Sequence, residues 1–129
     1  MKSFLSPLLR SNAGPFVLTN TRNDKVVARM LLTAFDSTSR RRGLLKHESF
    51  EEGSALIIAP SNAIHTFWMR FAIDVAFVTQ EGRVVKVCSS VVPWRIAAAW
   101  GGYAVIELPA GALSVSDTRR GDLLQLTSL

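Results

Sequence analysis

Cysteine is almost absent. The single one, Cys88, excludes an intrachain disulfide and any cysteine-rich zinc site, and a chain without staples fits a reducing compartment. Histidine is scarce as well. His47 and His65 are the whole supply, so a zinc site, which needs about three or four ligands, would have to borrow carboxylates at no recognisable spacing. No metal or other cofactor is expected. No apolar run approaches the eighteen or so residues of a membrane span. The patch Phe4-Leu5-Ser6-Pro7-Leu8-Leu9, between Lys2 and Arg10, is too short for a secretory signal, and a cytoplasmic location is the expectation. Glycine-rich phosphate loops, nucleotide fingerprints and zinc-finger spacings are missing. So are internal repeats, low-complexity tracts and the aromatic-rich basic strand pair of common RNA-binding folds.

What remains is an ordinary globular composition. The chain has 129 residues, 48% hydrophobic and 19% charged, enough for a single domain that buries roughly two-thirds of its unfolded surface. Residues 1–14 read as a flexible arm ending in the turn chemistry of Ser11-Asn12-Ala13-Gly14-Pro15, and residues 15–129 as the domain, expected to be a monomer. The net charge of +5 is uneven: residues 1–46 carry +7 and residues 47–129 carry −2. A basic first third, with Arg40, Arg41 and Arg42 in a row, suits a polyanion or an anionic surface. A solvated basic face is the plainer reading.

Hydropathy alternation then sets the elements. Phe16-Val17-Leu18 and residues 25–32 read as two strands of a hairpin. Asp36-Ser37-Thr38-Ser39 offers N-cap oxygens and Gly43 a terminator, which predicts one short helix near residues 37–45 with Arg40 turned inward. Residues 53–59, 73–78, 84–88, 103–108 and 123–127 read as further strands, and residues 112–118 as a short turn or helix. Ile73, Val75 and Phe77 share one face of their strand, and Asp74, Ala76 and Val78 the other. Glu107 falls on the face of Tyr103 and Val105. Gly82 is placed for a positive φ in the loop at 79–83. Seven or eight short strands with one helix predict a mainly β (α+β) fold, a small β-barrel-like or sandwich domain.

One decapeptide concentrates the chemistry: His65-Thr66-Phe67-Trp68-Met69-Arg70-Phe71-Ala72-Ile73-Asp74. Polar groups within an apolar segment need partners if they are buried. Asp74 and Glu107, each in an apolar strand, suit general acid–base work or a buried network with Arg40 or Arg70, and the network is the favoured reading. His65 suits a general base or a histidine hydrogen-bonded near the core. Trp68 and Arg70 would share a face of an extended segment and could stack, with Trp94 and Trp100 covering the same region from the apolar loop at 89–102. Cys88 reads as a packing residue.

Several segments together carry a resemblance. They are Arg40-Arg41-Arg42-Gly43-Leu44-Leu45, the decapeptide continued through Val75-Ala76-Phe77, Gly82-Arg83-Val84-Val85, Ile106-Glu107-Leu108-Pro109-Ala110-Gly111 and Gly121-Asp122. Over about residues 16–127 the chain resembles the uncharacterised prokaryotic family known as domain of unknown function 192. The resemblance implies a compact, mostly β fold with a helix at the arginine–glycine–leucine segment, and no activity. Leu45 stands where many relatives have methionine and Arg70-Phe71 where many have Lys-Asn. The export signal of many relatives is not expected here.

The functional expectation is a small ligand- or peptide-binding domain. Its site would be a cluster of Arg40, His65, Arg70, Asp74 and Glu107 walled by Trp68 and Met69, its partner an unidentified small molecule or protein segment. Two alternatives stay open: a small hydrolase-like enzyme using Asp74, Glu107 or His65, and a basic module docking nucleic acid or an anionic surface through Arg40, Arg41 and Arg42.

Overall fold

The computed structural model describes residues 3–9, 14–44 and 47–128, with the backbone alone for Arg41. In chain order the strands are β1 (Phe16–Asn20), β2 (Val26–Ala28), β3 (Met30–Ala34), β4 (Ser54–Ile58), β5 (Ala63–His65), β6 (Ile73–Val78), β7 (Val84–Val91), β8 (Ile96–Ala98), β9 (Ala104–Pro109) and β10 (Leu124–Ser128). Two short helices, α1 (Ser37–Arg42) and α2 (Ala112–Val115), interrupt them. The mainly β expectation holds, but the sheets stay open and form a sandwich-like stack instead of a closed barrel: β10-β1-β2, β3-β4-β9-β6-β7 and the small ribbon β5-β8.

The strand count exceeds the expected seven or eight because two stretches behave differently from their hydropathy. Residues 25–32 look like one strand, yet the chain leaves the small sheet at Arg29. The Arg29 and Met30 N–H groups both donate to the Gly53 carbonyl, at 2.7 and 3.0 Å, and β3 then runs parallel to β4 in the large sheet. The parallel pair needs a crossover, and α1 lies within it. The ribbon β5–β8 is the other addition, pairing Ile64 with Ala97 and His65 with Ile96. The expected hairpin of β1 and β2 forms.

β4, β6 and β9 are buried along their whole length, as strands covered on both faces must be. One face of the large sheet presents Ile57, Ala76, Val78, Ile106 and Leu108 to Leu18, Ala28 and Leu124 of the small sheet and to Leu113 of α2. The other presents Leu56, Ile58, Val75, Phe77 and Val105 to Leu44 and Met69. Part of the expected arm joins the first core. Leu5 is 2% exposed, and the Phe4 N–H donates to the Gln80 carbonyl at 2.9 Å. Gly82 has the anticipated positive φ, 100°. A Cβ there would also run into the Leu124 carbonyl oxygen, so the close approach requires glycine as much as the turn does. Residues 1, 2, 10–13, 45, 46 and 129, which include part of the expected arm and the end of the expected helix, lie outside the described residues.

Candidate functional site

The helix α1 is only six residues long and is fixed at both ends. Asp36 caps it, its Oδ1 accepting the Ser39 N–H at 2.7 Å. Gly43, at φ 47°, closes it through an N–H bond to the Ser39 carbonyl at 2.9 Å. So anchored, the helix turns Arg40 half inward, as expected, where its guanidinium donates to the Phe35 carbonyl at 2.7 Å. Between α1, the end of β4 and the strand β5 lies a cleft of about 390 Å³. Ser37, Arg42 and His65 are its exposed rim, with Arg40 and Ser61 half-buried beside them. Leu44, Ile58, Ile64 and Met69 wall it.

Glu107 lies at the bottom. It is 3% exposed, and its Oε2 has no hydrogen-bond partner among the described residues. Burial in this apolar setting pushes its pKa up from 4.5 to about 7. The carboxyl is therefore poised near neutrality at the floor of the cleft, with one oxygen buried and unpartnered.

Four of the seven expected site residues thus meet: Arg40, His65, Met69 and Glu107. The other three lie elsewhere. Asp74 is 1% exposed but on the opposite face of the sheet, because β6 and β9 pair Val75, not Asp74, with Glu107. Its carboxylate accepts three backbone N–H groups, from Ser90 at 2.8 Å, Gly111 at 3.1 Å and Leu113 at 2.9 Å. The expected buried network of Asp74 and Glu107 with the arginines does not form. Arg70 makes a surface ion pair with Glu48 at 3.2 Å. Trp68 is 71% exposed. The chain turns at 66–69 instead of continuing extended, with Trp68 at φ 70°, so the Trp68–Arg70 stack gives way to an edge-on contact with Trp94 at 4.6 Å. Neither Trp94 nor Trp100 covers the cleft, and Trp100 is 98% exposed.

The family profile described as an uncharacterized ACR, DUF192, matches residues 18–126. The chain belongs to that family. No curated protein matches it. Two solved structures share its fold. A Novosphingobium aromaticivorans protein of unknown function superposes with a TM-score of 0.74 at 22% identity, over 86% of this chain and 83% of that one. A Sinorhizobium meliloti protein described as a candidate transcription regulator gives 0.75 at 17% identity, over 86% and 91%. Identities this low establish the fold alone.

Two clusters in the family region escape a reading by sequence. Thr66 is fully buried. Its hydroxyl donates to the Val92 carbonyl at 2.7 Å and accepts the Arg95 N–H at 2.9 Å, tying the aromatic turn to the loop after β7. Asp122 is 5% exposed and accepts from Asn20 Nδ2, Arg22 Nε and the Arg119 N–H at 2.7, 2.7 and 2.8 Å. Burial alone would raise its pKa, but these bonds outweigh it and hold the carboxyl at about 2. A buried threonine among aromatics and an Asn ending an apolar strand are weak signals. Nothing local distinguishes them from surface residues.

Proposed function

We propose that this protein is a small-ligand-binding domain whose site is the cleft between α1, β4 and β5. The observation that carries the reading is the Glu107 Oε2. Buried polar atoms are almost always hydrogen-bonded, and an unpartnered one, buried on a residue that lines a cleft within the roughly 300–1,000 Å³ of small-molecule pockets, supports a ligand group meeting that carboxyl. The setting that goes with this reading is the cytoplasm, supported by the chain's having one cysteine, half-buried Cys88.

A second reading has its own support. A carboxyl near pH 7 in a cleft that His65 also lines suits a general acid, so a bound ligand that is chemically altered would make the domain an enzyme working through Glu107. Asp74 is unsuited to that role, with its oxygens taken by backbone donors. The polyanion reading has less support. Arg22 of the basic third is bound to Asp117 and Asp122.

The test is a thermal-shift screen of metabolites against the wild type and Ile64→Trp, which fills the cleft. Ligands of the cleft raise the melting temperature of the wild type alone. Hits that stabilise both proteins equally, or no hits, remove the reading. Mass spectrometry of recovered hits separates binding from turnover.

A further inference from the structure

We infer that the cleft takes a small organic anion, with Arg40 and Arg42 meeting its charged end and the Glu107 carboxyl donating a hydrogen bond to an oxygen acceptor at its inner end. The inference rests on the cleft being a ligand site and adds the ligand's chemistry. Three features select it. The first is the order of charges. A ligand entering from solvent passes exposed Arg42 and His65 and half-buried Arg40 before it reaches buried Glu107, the only acidic residue lining the cleft among the described residues. A cation would have to pass the arginines, while an anion is drawn in. Arg40 spends one donor on Phe35 and, with five N–H donors in its fork, keeps others for a carboxylate.

The second is the wall. Leu44, Ile58 and Met69, at 2%, 4% and 6% exposure, line the cleft between rim and floor, so the body of the ligand between its two polar ends is apolar. A metal ion fits poorly. Glu107 and His65 make two donors where zinc takes three or four, and no set of three metal-ligating side chains gathers among the described residues.

The third is the state of Glu107. The groups facing it across the cleft are Arg40 and Arg42 from α1 and His65 from β5; on the sheet itself its neighbours Leu56 and Val75 are apolar. Burial keeps its proton on up to about pH 7. The acid form is a donor as well as an acceptor, and it complements a carbonyl or ether oxygen without adding a negative charge next to the anion. Binding above pH 7 therefore takes up one proton, which stays on Glu107 and points at the ligand's inner oxygen.

The probes are 4-oxopentanoate, 5-oxohexanoate and 6-oxoheptanoate, each compared with its uncharged amide, with the alkanoate lacking the oxo group, and with the matching alkylamine as a cation. Calorimetry at pH 6 and pH 8, in two buffers of different ionisation heat, reads affinity and proton uptake together. At least one oxo acid is expected to bind better than its three counterparts, with about tenfold weaker binding at pH 8 than at pH 6, because the donating form is then the minor one. Arg42→Gln weakens the acids and not the amides. In Glu107→Gln, whose amide donates without titrating, the pH dependence is gone. In Glu107→Leu the preference for the oxo acid over the alkanoate is gone. A pH dependence that persists in Glu107→Gln assigns the proton to His65 and overturns the inference, as does the absence of binding by every oxo acid. Tighter binding of the alkylamine, abolished by Ile64→Trp, overturns the anion but keeps the cleft. Binding of any probe that survives Ile64→Trp sinks the cleft itself.

Discussion

Glu107 and Asp122 are both buried acids, and they respond to burial in opposite ways. Asp122 has three donors around it, so its folded-state pKa falls to about 2, and the stability it contributes is present above 3.8 and lost as the pH drops toward 2. Glu107 is buried with no partner for Oε2 among the described residues, and burial raises its folded-state pKa from 4.5 to about 7. Between those values the unfolded chain has released the proton and the folded chain still holds it. Stability therefore falls as the pH rises from 4.5 to 7 and is flat beyond. Relative to Glu107→Gln, the wild type should lose about 3 kcal/mol across that window, readable from urea midpoints measured at pH 4.5, 6 and 8. A difference that does not change with pH would show that Glu107 has a partner in solution. From sequence, each residue is an acid near the end of an apolar or turn segment. Whether it is paired depends on residues such as Asn20, 102 positions away from Asp122.

At the scale of elements, Asp74 shows how one side chain joins three of them. From β6 it accepts the Gly111 and Leu113 N–H groups at the start of α2 and the Ser90 N–H in β7, where Ser90 has φ 52°. Removing it strands buried donors at an unsatisfied cost of about 1–3 kcal/mol each. Asp74→Ala should therefore destabilise the protein by about 3 kcal/mol or more, measured by denaturant unfolding, while ligand affinity at the cleft stays unchanged because Asp74 faces the other side of the sheet. Loss of ligand binding in a still-folded Asp74→Ala would contradict that placement. The alternation within β6, and within β9, is legible from the strand period, and the structure agrees for Ile73, Val75 and Phe77 and for Val105 with Glu107, whereas Tyr103, expected on the face of Glu107, precedes β9 and packs against the other core. The register between the two strands is not legible. A shift of one residue would have put the two carboxylates on one face, and the pairing of Val75 with Glu107 is decided by how the whole sheet packs.

At the scale of the molecule, the two open sheets are closed on each other by the segment that precedes them. Leu5 sits in the core shared by both sheets, and Phe4 lies against Gly82 at the tip of the loop joining β6 and β7. Truncating a buried leucine costs about 2–5 kcal/mol, so Leu5→Ala, or removal of residues 1–9, should lower the melting temperature clearly in a thermal scan. A free, solvated arm would leave it unchanged. The aromatic side chains show the opposite case. Trp68, Trp94 and Trp100 are 71%, 52% and 98% exposed, although hydropathy alone would place them inside. The turn at Trp68 and the Thr66 bonds to Val92 and Arg95 hold Trp68 and Trp94 at the surface.

By itself the sequence determined the mainly β class, a capped helix starting at Ser37 (expected to run to about 45, ending at Arg42), the faces of β6 and of Val105 and Glu107 in β9, and the glycine at 82, because each follows from neighbours a few residues apart: hydropathy period, a capping oxygen, a φ that other residues resist. Only the tertiary structure decided that residues 25–32 divide between two sheets, that Asp74 is tied to backbone donors while Glu107 is buried unpartnered at a cleft, and that Arg40, His65 and Met69 line the same cleft. Strand register and sheet stacking set these outcomes, and both depend on contacts between parts of the chain far apart in order.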